Sequence, residues 1–323
     1  MSFFDEEINK TINDIKKYKE PGDLCFAMLS DSHLSEEGCI TCENISRVDS
    51  EVKFRFIVHL GNVTNGNNPE KITGCLMDRE IVMYKSAIST EQLLLCLGDT
   101  DGWRNERFEG QLVQFIMTDE MWYKHTSFID ELQGVSRPKR KPYYYIDLHG
   151  VRLVVLCSYN YNIDKQHGLY EKYTGIDIEQ AIWLSEEALR GCSGKTVILF
   201  SHHISKSRFE TGADPYIYEG RSTEAILSII QRARSNGADT ACWFGGGYGC
   251  DAEINLGGVN FAVIASQAAM TESTAKCGGV RTYNDRSLNT VNQDCWDAVV
   301  LKREKREIGL FRFGAGIDRK IKY

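Results

Sequence analysis

Five short apolar runs, each stopping at a polar or glycine-rich tip, constrain this chain more than any other feature. They are LCFAML (24–29) before SDSH, KFRFIVHLGN (53–62) running into GNVTNG, and QLLLCLGDTDG (92–102). KTVILFSHHI (195–204) and TACWFGGGYGCD (240–251) complete the set. Apolar runs of this length bounded by turn residues read as buried strands. Helical patterns lie between them. Residues 4–19 place Phe4, Ile8, Ile12 and Ile15 on one side, until Pro21 and Gly22 stop the helix. Further helices are predicted over about 69–87, 177–189 and 223–235, the second turning Ile178, Ala181, Ile182, Leu184 and Leu189 inward. Residues 103–135 read as helical and irregular. The segment KPYYYIDLHGVRLVVLCSY (141–159) reads as a hairpin turning near His149 and Gly150. GGVNFAVIAS, CWDAVVLKR and EIGLFRFG read as strands closing a sheet. Strands alternating with helices predict an α/β fold. Ligands of open α/β sheets sit beyond the carboxyl ends of the strands, so the five tips are predicted to gather at one place.

With 323 residues and only five prolines, the chain has no Pro/Ser-rich linker to divide it. It reads as an N-terminal helix (1–22) followed by a single domain (23–323). The net charge of -7 and the lack of a basic stripe argue against nucleic acid as a partner. The one dense basic run, RPKRK (137–141), is expected to face solvent. No apolar run approaches the ~20 residues that span a bilayer, so no membrane association is expected. The charged N-terminus carries no apolar signal core, and the 11 cysteines are odd in number and irregular in spacing. Both features predict reduced thiols and a cytoplasmic location. CITC (39–42) has no second pair at zinc-site spacing and is expected in a loop or small core.

The chemistry sits in the tips. They hold Asp31 and His33; Asn62; Asp99, Thr100 and Asp101; His202 and His203; then a loop, residues 245–249, with four glycines. Carboxylate, amide and imidazole donors suit divalent Mn, Fe or Zn. Two such ions a few ångströms apart can clamp a phosphoryl group and supply a hydroxide nucleophile.

In the order DSH, GNVTNG, GDTDG, SHHI and FGGGYGCD, the chain resembles the calcineurin-like metallophosphoesterase family. That family carries D-x-H, G-D-x-x-x-G, G-N-H-D, a strand ending in His, and G-H-x-H. The paired strands of 141–159, the Q-x-x-W-L helix (180–184) and the ending RFGAGIDRKIKY add to a resemblance that covers roughly 23–323. It implies a four-layer α/β/β/α sandwich with two mixed β-sheets, metallo-dependent phosphatase-like. Asp31 and His33 match metal ligands of the first motif. Asn62 stands where the family has an Asp bridging two metals. Asp99 stands at the Asn ligand, Thr100 at the His that assists the leaving group, and Asp101 at the Asp supporting that His. His202 matches the fourth-motif ligand and His203 its neighbour. Gly247 and Gly249 fall at the two His positions of G-H-x-H.

The departures fall on the chemistry. A bridging ligand needs charge and two oxygens, and Asn62 is neutral with one. Two imidazoles are missing from the glycine loop. A threonine at 100 cannot titrate near neutral pH. The expected function is therefore a pseudoenzyme or binding module of this fold, with lost or much reduced two-metal phosphoester hydrolysis. The implied cofactor is one divalent metal (Mn, Fe or Zn) on Asp31, His33, Asn62, Asp99 and His202, or none. The implied ligand is a phosphorylated small molecule. One alternative is a metal-dependent phosphomonoesterase or phosphodiesterase with a rebuilt, single-metal site, its gap filled by Cys250 or Asp251. Another is a structural component of a larger assembly, for which YYY (143–145) and DPYIYEG (214–220) would be exposed patches; aromatics in strands are ordinarily core. His59 reads as a satisfied core histidine. His125, His149 and His167 are expected at the surface. Arg208 and Arg221 flank the region after SHHI, as surface residues or anion partners.

Overall fold

The computed structural model describes residues 3–33, 37–66, 68–102, 104–108, 111–164, 169–204, 221–268 and 286–323. The chain begins α1 (Asp5–Tyr18), β1 (Leu24–Leu29), α2 (Glu37–Val52), β2 (Ile57–His59), α3 (Glu70–Ser86) and β3 (Leu93–Leu95). A hairpin, β4 (Arg104–Phe108) and β5 (Gln111–Phe115), precedes α4 (Asp119–Thr126). Then come β6 (Val135–Ser136), β7 (Tyr144–Leu148), β8 (Val151–Val155), β9 (Tyr159–Asp164) and β10 (Leu169–Thr174). The next elements are α5 (Ile178–Trp183), β11 (Thr196–Ser201), α6 (Arg221–Ser235) and β12 (Asp239–Gly245). Five strands end the chain: β13 (Ala252–Leu256), β14 (Val259–Val263), β15 (Cys295–Lys302), β16 (Glu307–Gly314) and β17 (Arg319–Lys322).

Two mixed sheets result. The first runs β17-β16-β15-β1-β2-β3, the second β13-β14-β12-β11-β8-β7-β6. Strands β1, β2 and β3 are parallel, and so are β8, β11, β12 and β14. All five strand runs singled out from the sequence are parallel strands, three in the first sheet and two in the second. Their apolar runs are continuous because both faces are covered. On β1, Phe26 and Met28 pack between the sheets with Ile198 and Phe200, while Cys25, Ala27 and Leu29 pack beneath helices. Phe26 stacks on Phe56 and meets Phe200 edge-on across the sheet interface. Burying one such ring contributes about 1.5–3 kcal/mol.

Helix α1 covers the outer face of the first sheet. Phe4, Ile8, Ile12 and Ile15 are all buried, Phe4 meets Phe313, and Tyr18 donates to Glu307 at 2.6 Å. The hairpin at His149 and Gly150 forms as expected, with Tyr143 and Tyr144 buried. Among the described residues no helix is long and apolar enough to cross a membrane.

Several expectations change. Residues 103–135 contain the β4–β5 hairpin before their helix. CITC lies on α2 rather than in a loop; Cys42 is a core cysteine, the other half of that expectation, and Cys39 is exposed. Ile178 and Ile182 point outward, 80% and 59% exposed. A π turn over Leu184–Ala188 shifts the phase, and the buried face is led by Gln180 and Trp183. Gln180 has its own reason to be inside: it accepts from Cys157 N–H and donates to Cys157 O, both at 2.8 Å. In the basic run Arg140 is exposed, but the Arg137 side chain is buried and donates to Lys141 O, Thr126 O and Thr126 Oγ1. His149 is exposed, whereas His125 is largely covered and pairs with Asp78 at 2.7 Å. Nine described cysteines are free, but Cys250 is disulfide-bonded, against the expectation of reduced thiols throughout. The expectations for His167, Arg208 and 214–220 fall outside the described residues, as does the side chain of Arg221.

Candidate metal site

The carboxyl ends of the five strands converge where the two sheets meet. Asp31 follows β1, Asn62 follows β2, Asp99 and Asp101 follow β3, His202 follows β11, and Gly247 follows β12. Asp31, His33 and Asn62 all take positive φ (56°, 51° and 58°). Asp, Asn and His tolerate that region better than most residues. Backbone bonds lock the tips together: Asp31 N–H donates to Gly61 O and His33 N–H to Asn62 O, both at 3.0 Å. Gly98 makes the approach of the second and third tips possible, since a Cβ there would lie 2.1 Å from Asn62 N.

Asp101 is fully buried and accepts three backbone N–H groups, from Asn62 (3.0 Å), Thr64 (2.9 Å) and Gly98 (2.7 Å). Burial pushes its carboxyl above the usual range, while those N–H donors pull it back. Its role is to hold two loops. Thr100 is also committed, its hydroxyl donating to Thr64 O at 2.6 Å with His33 Nδ1 at 3.5 Å.

Asn62 sits at the centre. Its Oδ1 accepts the Thr100 N–H at 2.8 Å, which identifies the oxygen end of the amide. Its Nδ2 then donates to Asp31 Oδ1 at 2.9 Å and Asp99 Oδ1 at 3.0 Å. Asp31 accepts two further bonds on Oδ2, from Ser30 Oγ at 2.6 Å and Gly247 N–H at 2.9 Å. Burial opposes its charge, but His202 and His33 outweigh that and hold the carboxyl below its ordinary value. His33 stands at the rim, a quarter exposed, with Nε2 3.7 Å from Asp31.

His202 is completely buried. Its Nδ1–H donates to Leu60 O at 2.8 Å. Its Nε2 has no hydrogen-bond partner and lies 3.4 Å from Asp99 Oδ1 and 3.9 Å from Asp31 Oδ1. Burial pulls the imidazole down, yet Asp31 and then Asp99 push it up to about 9. The His203 ring meets that of His202 edge-on, with centroids 4.4 Å apart. Asp99, His202 and His203 each offer a donor atom within 4.8 Å of the others.

The glycine loop closes the site with backbone. Gly247 and Gly249 have φ of 75° and 67°. A Cβ at Gly247 would lie 2.9 Å from His202 Nε2, and one at Gly246 would lie 1.8 Å from Ser30 Oγ. Neither residue suggested to fill the gap does so. Cys250 is disulfide-bonded. Asp251 is held by Arg312 at 2.7 Å and Arg319 at 3.0 Å and accepts Ala265 N–H. His59 is a buried core histidine, as expected, bonded to Ser32 Oγ and to Gly61 N–H. Burial pushes its imidazole down to about 3. Sequence reading passes over Ser30, Thr64 and Ser158. Ser30 and Thr64 lie inside tips and could have been flagged; Ser158, which accepts His203 N–H at 2.8 Å, lies at the end of the 141–159 segment and in no tip.

No family model and no curated protein matches the sequence. Solved structures do. The chain is similar to a dimetal phosphatase from Danio rerio, at 10% identity and a TM-score of 0.58, covering 93% of this chain and 99% of that one. It is similar to a purple acid phosphatase from yellow lupin, Lupinus luteus, at 9% identity and a TM-score of 0.54, covering 94% of this chain and 54% of that one. The likeness shows the fold of calcineurin-like metallophosphoesterases, and at these identities it shows the fold alone.

Proposed function

We propose that this chain, a divergent bearer of the calcineurin-like metallophosphoesterase fold, has lost two-metal phosphoester hydrolysis and binds a phosphorylated small molecule at its strand-end site. One observation carries the reading. The Asn62 amide points its N–H₂ at Asp31 and Asp99. A carboxylate at that position would face and attract two cations. An N–H₂ group does the reverse: its hydrogens satisfy the two carboxylates in place of positive charge. To offer its oxygen to a metal, Asn62 would have to rotate and leave the Thr100 N–H unpaired. The glycine loop and the committed Thr100 hydroxyl support the same reading, since neither provides a ligand or an acid.

The residues present fit one ion better than two. His202 Nε2 is buried without a hydrogen-bond partner and faces Asp99, and its Nδ1–H is tied to a carbonyl, so an ion that displaces the Nε2 proton would meet the lone pair there. A divalent ion there would supply a Lewis acid for a phosphoryl oxygen. It would also offset Asp31 and Asp99, which by themselves repel an anion. The same donor set favours a second reading, a single-metal phosphomonoesterase or phosphodiesterase.

One pair of assays separates them. The chain is incubated with Mn²⁺, Fe²⁺ or Zn²⁺ and the p-nitrophenyl esters of phosphate, mono and bis. The expected result is no hydrolysis above buffer and metal. Calorimetry with inorganic phosphate should show saturable binding only when the divalent ion is present. Hydrolysis that vanishes in both Asp31→Ala and His202→Ala would establish the second reading instead.

A further inference from the structure

We infer that His203 is a metal ligand, completing with Asp99 and His202 a site for one divalent transition-metal cation that draws no side chain from the glycine loop. The inference rests on the reading that the two-ion centre is dismantled.

Four observations carry it. First, the spacing fits a single ion: Asp99 Oδ1 and His202 Nε2 stand 3.4 Å apart. Two donors on one tetrahedral ion at about 2.1 Å stand about 3.4 Å from each other. The His203 donor lies within 4.8 Å of both. Second, His202 Nε2 is wholly buried, lacks a hydrogen-bond partner and is aimed into this cluster. Third, His203 is held in place. Its N–H donates to Ser158 Oγ, its carbonyl accepts from Ser201 Oγ at 2.8 Å, and its ring lies edge-on to Tyr248.

The fourth observation explains the bare loop. A Cβ at Gly247 would come within 2.9 Å of His202 Nε2 and 3.1 Å of His203 Nε2. A side chain there would obstruct the nitrogens of both imidazoles. Glycine lets the two rings and Asp99 converge while its N–H braces Asp31. Two imidazoles and a carboxylate suit Zn or Fe better than Mg or Ca, which favour oxygen donors.

The test uses the full chain, stripped with chelator and dialysed against Mn²⁺ alone. Bound metal is counted, affinity is measured, and pulsed EPR counts the imidazole nitrogens coupled to the ion. The expected result is one ion per chain with two coupled imidazoles. In His203→Ala one imidazole should remain and affinity should fall at least about 10–100-fold, the loss seen when even a ligand's supporting partner is removed. Ser158→Ala, which only loosens His203, should give a smaller loss. If His203→Ala fails to fold, the nitrogen count in the unaltered chain decides alone. No bound ion, a single coupled imidazole, or unchanged affinity in His203→Ala would overturn the assignment. Two ions per chain would overturn the dismantled centre, and the assignment with it.

Discussion

Asn62 shows how much one atom's orientation can decide. The sequence supplies the residue and its place between two acids, but not which end of the amide faces them. That depends on the Thr100 N–H, contributed by a tip 38 residues away. Replacing Asn62 with Asp would put a third carboxylate between Asp31 and Asp99 and remove their shared donor. In chelator, Asn62→Asp should lower stability by about 3 kcal/mol, the scale of an uncompensated buried charge. Added Mn²⁺ should restore much of it. Urea unfolding measures both, and unchanged stability in chelator would contradict the network. His202 adds a pH dependence. Its folded value of about 9 lies above the ordinary 6.5. Its contribution is therefore fully present below about pH 6.5 and lost as pH rises through about 9. A rise from 6.5 to about 9 corresponds to about 3 kcal/mol. Metal-free protein should lose stability over that window, and His202→Gln should flatten the profile.

Elements carry constraints that periodicity does not reveal. The helix over 177–189 was legible, but its inward face was not. An apolar pattern nominates Ile178 and Ile182, while a π turn and the two bonds from Gln180 to Cys157 turn them to solvent. Buried polar anchors have no period. Gln180→Ala should cost about 1–3 kcal/mol by leaving a buried N–H and C=O unpaired. Ile182→Ala should change stability by less than about 0.5 kcal/mol, as exposed substitutions do. Equal effects would contradict this packing. Helix α2 escaped notice because its face mixes Cys, Thr, Asn and Asp with few large apolar residues. The tips were legible as loops, yet the need for glycine at 98 was not, because the clash is with Asn62 in a different tip. Gly98→Ala should cost about 3 kcal/mol or more as overpacking against backbone. Gly191→Ala has φ of 68° but nothing within 4 Å, and should cost about 1–2 kcal/mol from backbone strain alone.

At the scale of the whole molecule most of the architecture was legible. Five continuous apolar runs can be buried on both faces only inside a layered α/β structure, and both sheets are built around them. The candidate site was legible as a set of residues, because parallel strands bring their carboxyl ends together. Its working arrangement was not, since it depends on contacts between the sheets, such as His202 with Asp31 and Asp99. Those contacts also bear on the strand-end site: the Asn62 amide already donates to both Asp31 and Asp99. The most direct measurement is native mass spectrometry of the unaltered chain after loading with excess Mn²⁺, Fe²⁺ or Zn²⁺ and desalting. One ion per chain is the expected result. Two ions per chain would contradict the central claim, because the Asn62 amide and a pair of bridged cations cannot occupy the same place.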